Sequence, residues 1–191
     1  VWLSRADGQA RLALERLIEP PTGLIAELYG PGWRTHAQAV AGRVEPGHLF
    51  EWAWLLMRWS LLAGDDGGLA AAVRLIEVGE GSGVDPARGV AIDALDRELR
   101  PIERGARLWP QTERLRATLL AARITGEADY WRMAQSAITT IERYLTTPIS
   151  GMWWDSLDED GRFVVEPARA SSLYHLVGAI TELDETIRSL A

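Results

Sequence analysis

Pro46-Gly47-His48-Leu49-Phe50-Glu51-Trp52-Ala53-Trp54-Leu55-Leu56-Met57-Arg58-Trp59-Ser60-Leu61-Leu62-Ala63 is the stretch that decides the architecture. Proline suits the first turn of a helix, because the N–H it lacks would be unpaired there anyway. Gly64-Asp65-Asp66-Gly67-Gly68 closes the segment. Between these ends, apolar side chains stand on nearly every side. A helix that is hydrophobic all round is a buried one, so this is an inner helix with a second layer outside it. It does not read as a membrane span: the run from Phe50 to Ala63 is too short and is interrupted by Glu51 and Arg58.

The flanking sequence reads as helix pairs separated by long loops. Upstream, Trp2 to Ile18 reads as a helix that Glu19-Pro20-Pro21-Thr22-Gly23 must end. Leu24 to Trp33 is short and irregular, with a turn at Gly30-Pro31-Gly32 and room for one strand. Downstream, Leu69 to about Gly79 is a partner helix, broken by Gly81, Gly83, Pro86 and Gly89, and Val90-Ala91-Ile92 with Leu95 and Leu99 reads as a small hairpin. Trp109 to Ile124 and Asp129 to Thr146 form the next pair. Asp158-Glu159-Asp160-Gly161 between Trp153-Trp154-Asp155 and Phe163-Val164-Val165 is a second hairpin signal. Ala170 to Leu190 is the last helix, with Ser171 or Ser172 as its N-cap. The fold class is all-α, with one or two small β-hairpins in the loops and a single domain over residues 1–191. Six or seven helices make about half of a closed ring. The chain begins at Val1, not Met, and Val1-Trp2-Leu3-Ser4 reads as already helical, so the expectation is a fragment of a larger helical barrel.

Composition narrows the function. Hydrophobic residues are 47% and charged residues 25% of the chain, an ordinary globular balance. A net charge of −7 argues against nucleic acid, whose binding needs a basic footprint. There is no cysteine, which removes disulfides, thiolate catalysis and cysteine-held zinc, and fits a cytoplasmic protein. All 20 basic residues are arginine, so Schiff-base chemistry on lysine is excluded.

Only three histidines exist, His36, His48 and His175. His48 and His175 each stand in the first turn of a buried helix, and Trp109-Pro110-Gln111-Thr112-Glu113 opens the helix between them. These starts recur at intervals of about sixty residues, as one structural unit used repeatedly would place them. His48, Glu51 and Trp52 are three and four apart and share a helix face, so Glu51 can orient the imidazole or share its substrate hydroxyl. Imidazole is the side chain best matched to proton transfer at neutral pH. Trp109 and Glu113 also share a face, where an indole can stack on a pyranose and a carboxylate or amide can bind its hydroxyls. Two opposed imidazoles over one cavity would make a general base and general acid pair. For each residue a plainer role stands beside this one: core histidines bonded to loop carbonyls, a core Trp109, a capping Glu113. Arg43 and Arg169 precede helix starts and can contact a hydroxyl or phosphate, or form surface ion pairs. His36 lies in a polar stretch, and Asp158-Glu159-Asp160 lacks the ligand spacing of a calcium loop.

Arg43-Val44-Glu45-Pro46-Gly47-His48 leading into Glu51-Trp52-Ala53-Trp54, then Arg107-Leu108-Trp109-Pro110-Gln111-Thr112-Glu113, then Pro167 through Tyr174-His175, resembles the N-acylglucosamine 2-epimerase superfamily. The resemblance covers essentially the whole chain. It implies the C-terminal half of an (α/α)6 barrel, a six-hairpin ring related to glycosidase barrels. It implies a metal-independent isomerase or epimerase of mannose-type or N-acetylhexosamine sugars, free or phosphorylated, with no cofactor. His48 and His175 match the family's acid/base histidines and Glu51 the carboxylate assisting the first. Trp109, Gln111 and Glu113 match its sugar-lining segment, and Trp52, Tyr174 and Arg43 are further expected substrate contacts. The implied mechanism is removal of the C2 proton of the open sugar to give an enediol or enolate, with return to C1 or to the other face of C2. The expected partners are a small sugar and either the missing N-terminal half or a second copy, with neither nucleic acid nor membrane. Two other readings remain open: a glycoside hydrolase using Glu51 and Glu113 on such a barrel, and a non-catalytic sugar-binding fragment.

Overall fold

The structure, a computed structural model, describes residues 1–20, 22–34 and 42–190. His36 lies outside the described residues. Among the described residues, six α-helices carry the fold: α1 (Trp2–Leu12), α2 (Pro46–Ala63), α3 (Gly67–Gly83), α4 (Leu108–Thr125), α5 (Ala128–Leu145) and α6 (Ser171–Leu190). α4 lies between α2 and α6, while α3 packs on α2, α5 packs on α4 and α1 lies against α2. The inner layer is therefore α2, α4 and α6, and each of these is entered by a long connection. Among the described residues, no helix is long and apolar enough to cross a membrane.

The inner character of α2 follows from its sequence. Leu49, Phe50, Ala53 and Leu56 are sealed from solvent, and each large apolar side chain so buried contributes about 1.5–3 kcal/mol. Gly64 ends the helix in the left-handed region at φ 65°, where glycine carries no Cβ penalty.

Three local expectations are corrected. The first helix does not reach Ile18: it widens to a π turn over Ala13–Leu17, and Ile18–Glu19 (β1) pairs antiparallel with Leu24–Ile25 (β2). α3 runs four residues past Gly79, through glycines that were expected to break it. The reason is proximity: a Cβ at Gly79 would stand 2.7 Å from Phe50 Cζ, and one at Gly83 would stand 2.5 Å from Pro46 Cβ. These glycines let α3 close on α2. The hairpin expected from Val90 through Leu99 is two separate pairs, Val84–Asp85 (β3) with Val90–Ala91 (β4), and Ala94–Leu95 (β5) with Pro101–Glu103 (β6).

The Asp158–Gly161 turn forms as read, with Gly161 N–H donating to the Asp158 carbonyl and Asp158 N–H to that of Arg162. The strand beside it has a distant partner, however: Ser156–Leu157 (β8) pairs with Ala106–Arg107 (β7). This pairing carries the loop before α6 to the start of α4. Leu108 N–H then donates to the Asp155 carbonyl at 2.9 Å, and Ser172 Oγ donates to Asp155 Oδ1 at 2.6 Å. The starts of α4 and α6 are thereby fixed to each other, and Ser172, read as a cap, serves instead as this tie.

Candidate active site

The three inner helix starts meet around one indole. Trp109, in the first turn of α4, has its ring 4.9 Å from that of His48 and 5.3 Å from that of His175, centroid to centroid. Gly47 makes this possible, because a Cβ there would lie 2.4 Å from Trp109 Cη2. The Pro-Gly-His start thus uses proline to begin the helix, glycine to admit the indole, and histidine for the chemistry. A hollow of about 180 Å³ opens between the helix starts, lined by His48, Glu51, Trp109, Tyr174 and His175. The two imidazoles, 127 residues apart in the chain, share it.

Each imidazole meets a carboxylate through Nδ1. His175 Nδ1 is 2.7 Å from Glu113 Oε1. Glu113 is fully buried and receives Arg116 Nη1 at 2.9 and 2.8 Å on its two oxygens. The Arg116 guanidinium in turn lies 3.6 Å over the Trp54 ring, and Trp54 Nε1 donates to Glu182 Oε2 at 2.8 Å. His175 is therefore held by a chain of groups reaching across α4 to α2 and α6. Tyr174 stacks beside it, with ring centroids 3.8 Å apart.

His48 has a different partner from the one its helix face points to. Glu27, on the connection between β2 and α2, places Oε2 2.7 Å from His48 Nδ1, close but off the line of a straight N–H bond. Glu27 Oε1 accepts the Glu45 N–H at 2.8 Å. Burial works against a charged His48. The Glu27 carboxylate close by, with the charges of Glu45 and Glu51, outweighs it and holds the imidazole above its usual pKa. Nothing in the local sequence pairs Glu27 with His48: it lies 21 residues upstream in an irregular loop.

Glu51 turns instead toward α4 and α6. Its carboxylate is pushed above the usual range by burial first and by the charge of Glu113 second, against the pull of His48, His175 and Arg116. Glu51, Glu113 and His175 offer ligand atoms within 4.8 Å of one another, the one such group among the described residues. Both Glu113 oxygens already accept from Arg116 and one meets His175 Nδ1, so these donors are committed to each other.

The other expected contacts separate. Gln111 is fully buried and faces backbone: its Oε1 accepts the Ala91 N–H, and its Nε2 donates to the carbonyls of Ala91 and Arg107. It braces β4 against α4 and does not line the hollow. Trp52 lines a separate apolar cavity against α1 with Ala10 and Trp59. Arg43 is engaged by Glu45 and Glu103, away from the hollow. In its place Arg107 and Arg169 line the site beside Asp155. Arg107 is tied to Asp93 at 2.9 Å and Glu45 at 2.7 Å and lies 5.5 Å over the Trp109 ring. Arg107 and Asp155 were each visible only as neighbours of the motif tryptophans.

The profile of the N-acylglucosamine 2-epimerase (GlcNAc 2-epimerase) family matches residues 1–179. The chain belongs to the N-acylglucosamine 2-epimerase family. A protein of similar sequence is the mannose-6-phosphate isomerase of Rhizobium meliloti (strain 1021), 39% identical over 99% of this chain and 50% of that protein. Among solved structures, the fold is that of a D-mannose isomerase, with a TM-score of 0.86 at 21% identity over 97% of this chain and 50% of the other. The cellobiose 2-epimerase of Bacillus thermoamylovorans B4167 follows at 0.81 and 16%, over 97% of this chain and 47% of the other. The chain spans about half the length of these relatives. Its three inner and three outer helices are half of an (α/α)6 barrel.

Proposed function

We propose that the protein containing this chain is a sugar isomerase or 2-epimerase in which His48 and His175 move the proton at C2 of an open-chain aldose. The observation that carries this is the placement of both rings on one hollow with Trp109 between them. In each ring the carboxylate occupies the Nδ1 side and leaves Nε2 for the substrate. One Nε2 takes the C2 proton, and the C2–H electrons form a C1=C2 double bond as the carbonyl electrons move to O1. O1 takes a proton to complete the enediol. For a ketose, C1 is then protonated as O2 gives up its proton; for an epimer, C2 is protonated on its opposite face and O1 gives its proton back. The Trp109 face offers a stacking surface for the sugar's C–H face.

The two arginines of the hollow are already matched, Arg107 by Asp93 and Glu45 and Arg169 by Asp155 at 3.5 Å. That supports an uncharged hexose over a sugar phosphate. The carboxylate arrangement speaks against inverting hydrolysis by its spacing, and against a retaining nucleophile because both Glu113 oxygens are engaged by Arg116 and one by His175. Inverting cleavage uses carboxyl groups about 6.5–9.5 Å apart with water between, whereas Glu51 and Glu113 bring ligand oxygens within 4.8 Å on one side and Glu113 is sealed. Val177, Ile180, Ile187 and Leu190 on α6 are exposed apolar residues, and this reading assigns the rest of the barrel to cover them.

The test uses the full-length protein in deuterated water with mannose and with mannose 6-phosphate. Deuterium should enter C2 or C1 with conversion to fructose or a 2-epimer, mannose being the better substrate. His48→Ala and His175→Ala should each abolish exchange. Turnover retained in both variants removes the proposal, and sugar binding without exchange makes the protein a lectin-like barrel.

A further inference from the structure

We propose that Glu27 is the positioning residue of His48, holding the ring proton on Nδ1 so that Nε2 faces the hollow as the acceptor. The inference rests on the isomerase reading for its consequence and on geometry for its content. His48 Nδ1 is sealed, while 38% of the side chain remains accessible, so the open edge of the ring is the Nε2 side. Glu27 is itself built in. Its loop follows β2, where Leu24 and Ile25 are buried. The Tyr29 hydroxyl donates to the Leu17 carbonyl at 2.8 Å and accepts the Ala26 N–H at 3.0 Å. With Oε1 taken by the Glu45 N–H, the carboxylate can present only Oε2 to the imidazole.

The charged groups around His48 are Glu27 from this loop, Glu45 and Glu51 at the start of α2, and Arg107 from β7, which is neutralised by Glu45 and Asp93. Across the hollow, Trp109 and His175 face it from α4 and α6. Glu45 Oε2 is 4.0 Å from Nδ1 and is engaged by Arg107. Glu27 is thus the carboxylate in contact, on the same ring nitrogen that meets Glu113 in His175, at the same 2.7 Å but off the N–H line. A carboxylate or carbonyl on one ring nitrogen sets the tautomer of the other.

The experiment is nitrogen-15 histidine NMR on the full-length protein, the His48 and His175 signals being assigned by their loss in His48→Gln and His175→Gln. The wild-type protein should show His48 as the Nδ1–H tautomer with a low-field Nδ1 proton; an Nε2–H tautomer overturns the proposal without any variant. Glu27→Gln should lower the pH at which His48 titrates, and Glu27→Ala should shift it toward the Nε2–H form, with His175 unmoved in both. An unchanged His48 in these variants, or an equal change at His175, overturns it. In the full-length protein, Glu27→Gln should cut kcat roughly 10- to 100-fold with KM within about twofold, and move the alkaline-rising limb to lower pH. A parent without deuterium exchange defeats the isomerase reading and leaves the NMR result standing. Turnover unchanged in Glu27→Gln defeats the positioning role alone.

Discussion

His175 Nδ1 and Glu113 Oε1 lie 2.7 Å apart where neither side chain meets appreciable water, the imidazole 8% exposed and the carboxylate 0%. The same carboxylate balances Arg116, so one residue sets the histidine and neutralises a guanidinium. Removing one partner of a buried ion pair costs about 3–5 kcal/mol, because the other charge stays buried without compensation. Glu113→Gln is therefore expected to lower stability by about 3 kcal/mol in urea unfolding. Replacing Arg116 by Met as well should restore part of that loss and none of the activity.

Gly47→Ala sets two effects against each other. Alanine is favoured over glycine in a helix by about 1 kcal/mol. A Cβ at 2.4 Å from Trp109 Cη2 cannot be accommodated unless the indole moves, and overpacking of this kind costs about 1–3 kcal/mol. Net destabilisation is expected, with an altered near-ultraviolet circular dichroism spectrum and a raised KM for the sugar.

Gln111→Leu tests a residue that the motif places at the sugar and the structure places against backbone. It should leave the Ala91 N–H and C=O and the Arg107 C=O short of partners, at about 1–3 kcal/mol. Among folded molecules KM should change by less than about twofold. A large rise in KM with stability intact would return Gln111 to the site.

Glu51→Gln carries a pH signature. A carboxylate whose folded pKa is raised favours its protonated form in the native state. Its contribution to stability is then greatest in acid and is lost as pH rises from the unfolded value through the folded one. Glutamine has no such loss. The variant should match the parent's thermal midpoint near pH 4 and exceed it near pH 8, while turnover falls. An equal midpoint difference at both pH values would show that the Glu51 carboxylate is not strained by its surroundings.

His48 gives the same sign of pH dependence from the opposite cause, its charged form being favoured by neighbouring carboxylates where that of Glu51 is disfavoured. Its folded pKa is raised, with burial opposing and Glu27, Glu45 and Glu51 prevailing, so its stabilisation is present below the unfolded value near 6.5. That stabilisation is lost as pH rises through the folded value. His48→Gln should therefore lose more stability at pH 5.5 than at pH 9 in denaturant titrations.

The sequence by itself determined the inner helices, their starting points and the residues mounted on their first turns. Pro46, Gly64 and the all-round apolar run of α2 act through local sterics and burial, which neighbouring residues suffice to specify. Local spacing also placed Glu51 on the His48 face, yet a shared face does not dictate which way a carboxylate turns. Only the tertiary structure brought Glu27 to His48, Glu113 to His175, Gln111 to the β4 backbone and β8 to β7. These partners are 20 to 62 residues apart and joined through irregular loops with no period to read. Their meeting is decided by how α2, α4 and α6 pack, with glycines at Gly47, Gly79 and Gly83 admitting the close approaches on which that packing depends.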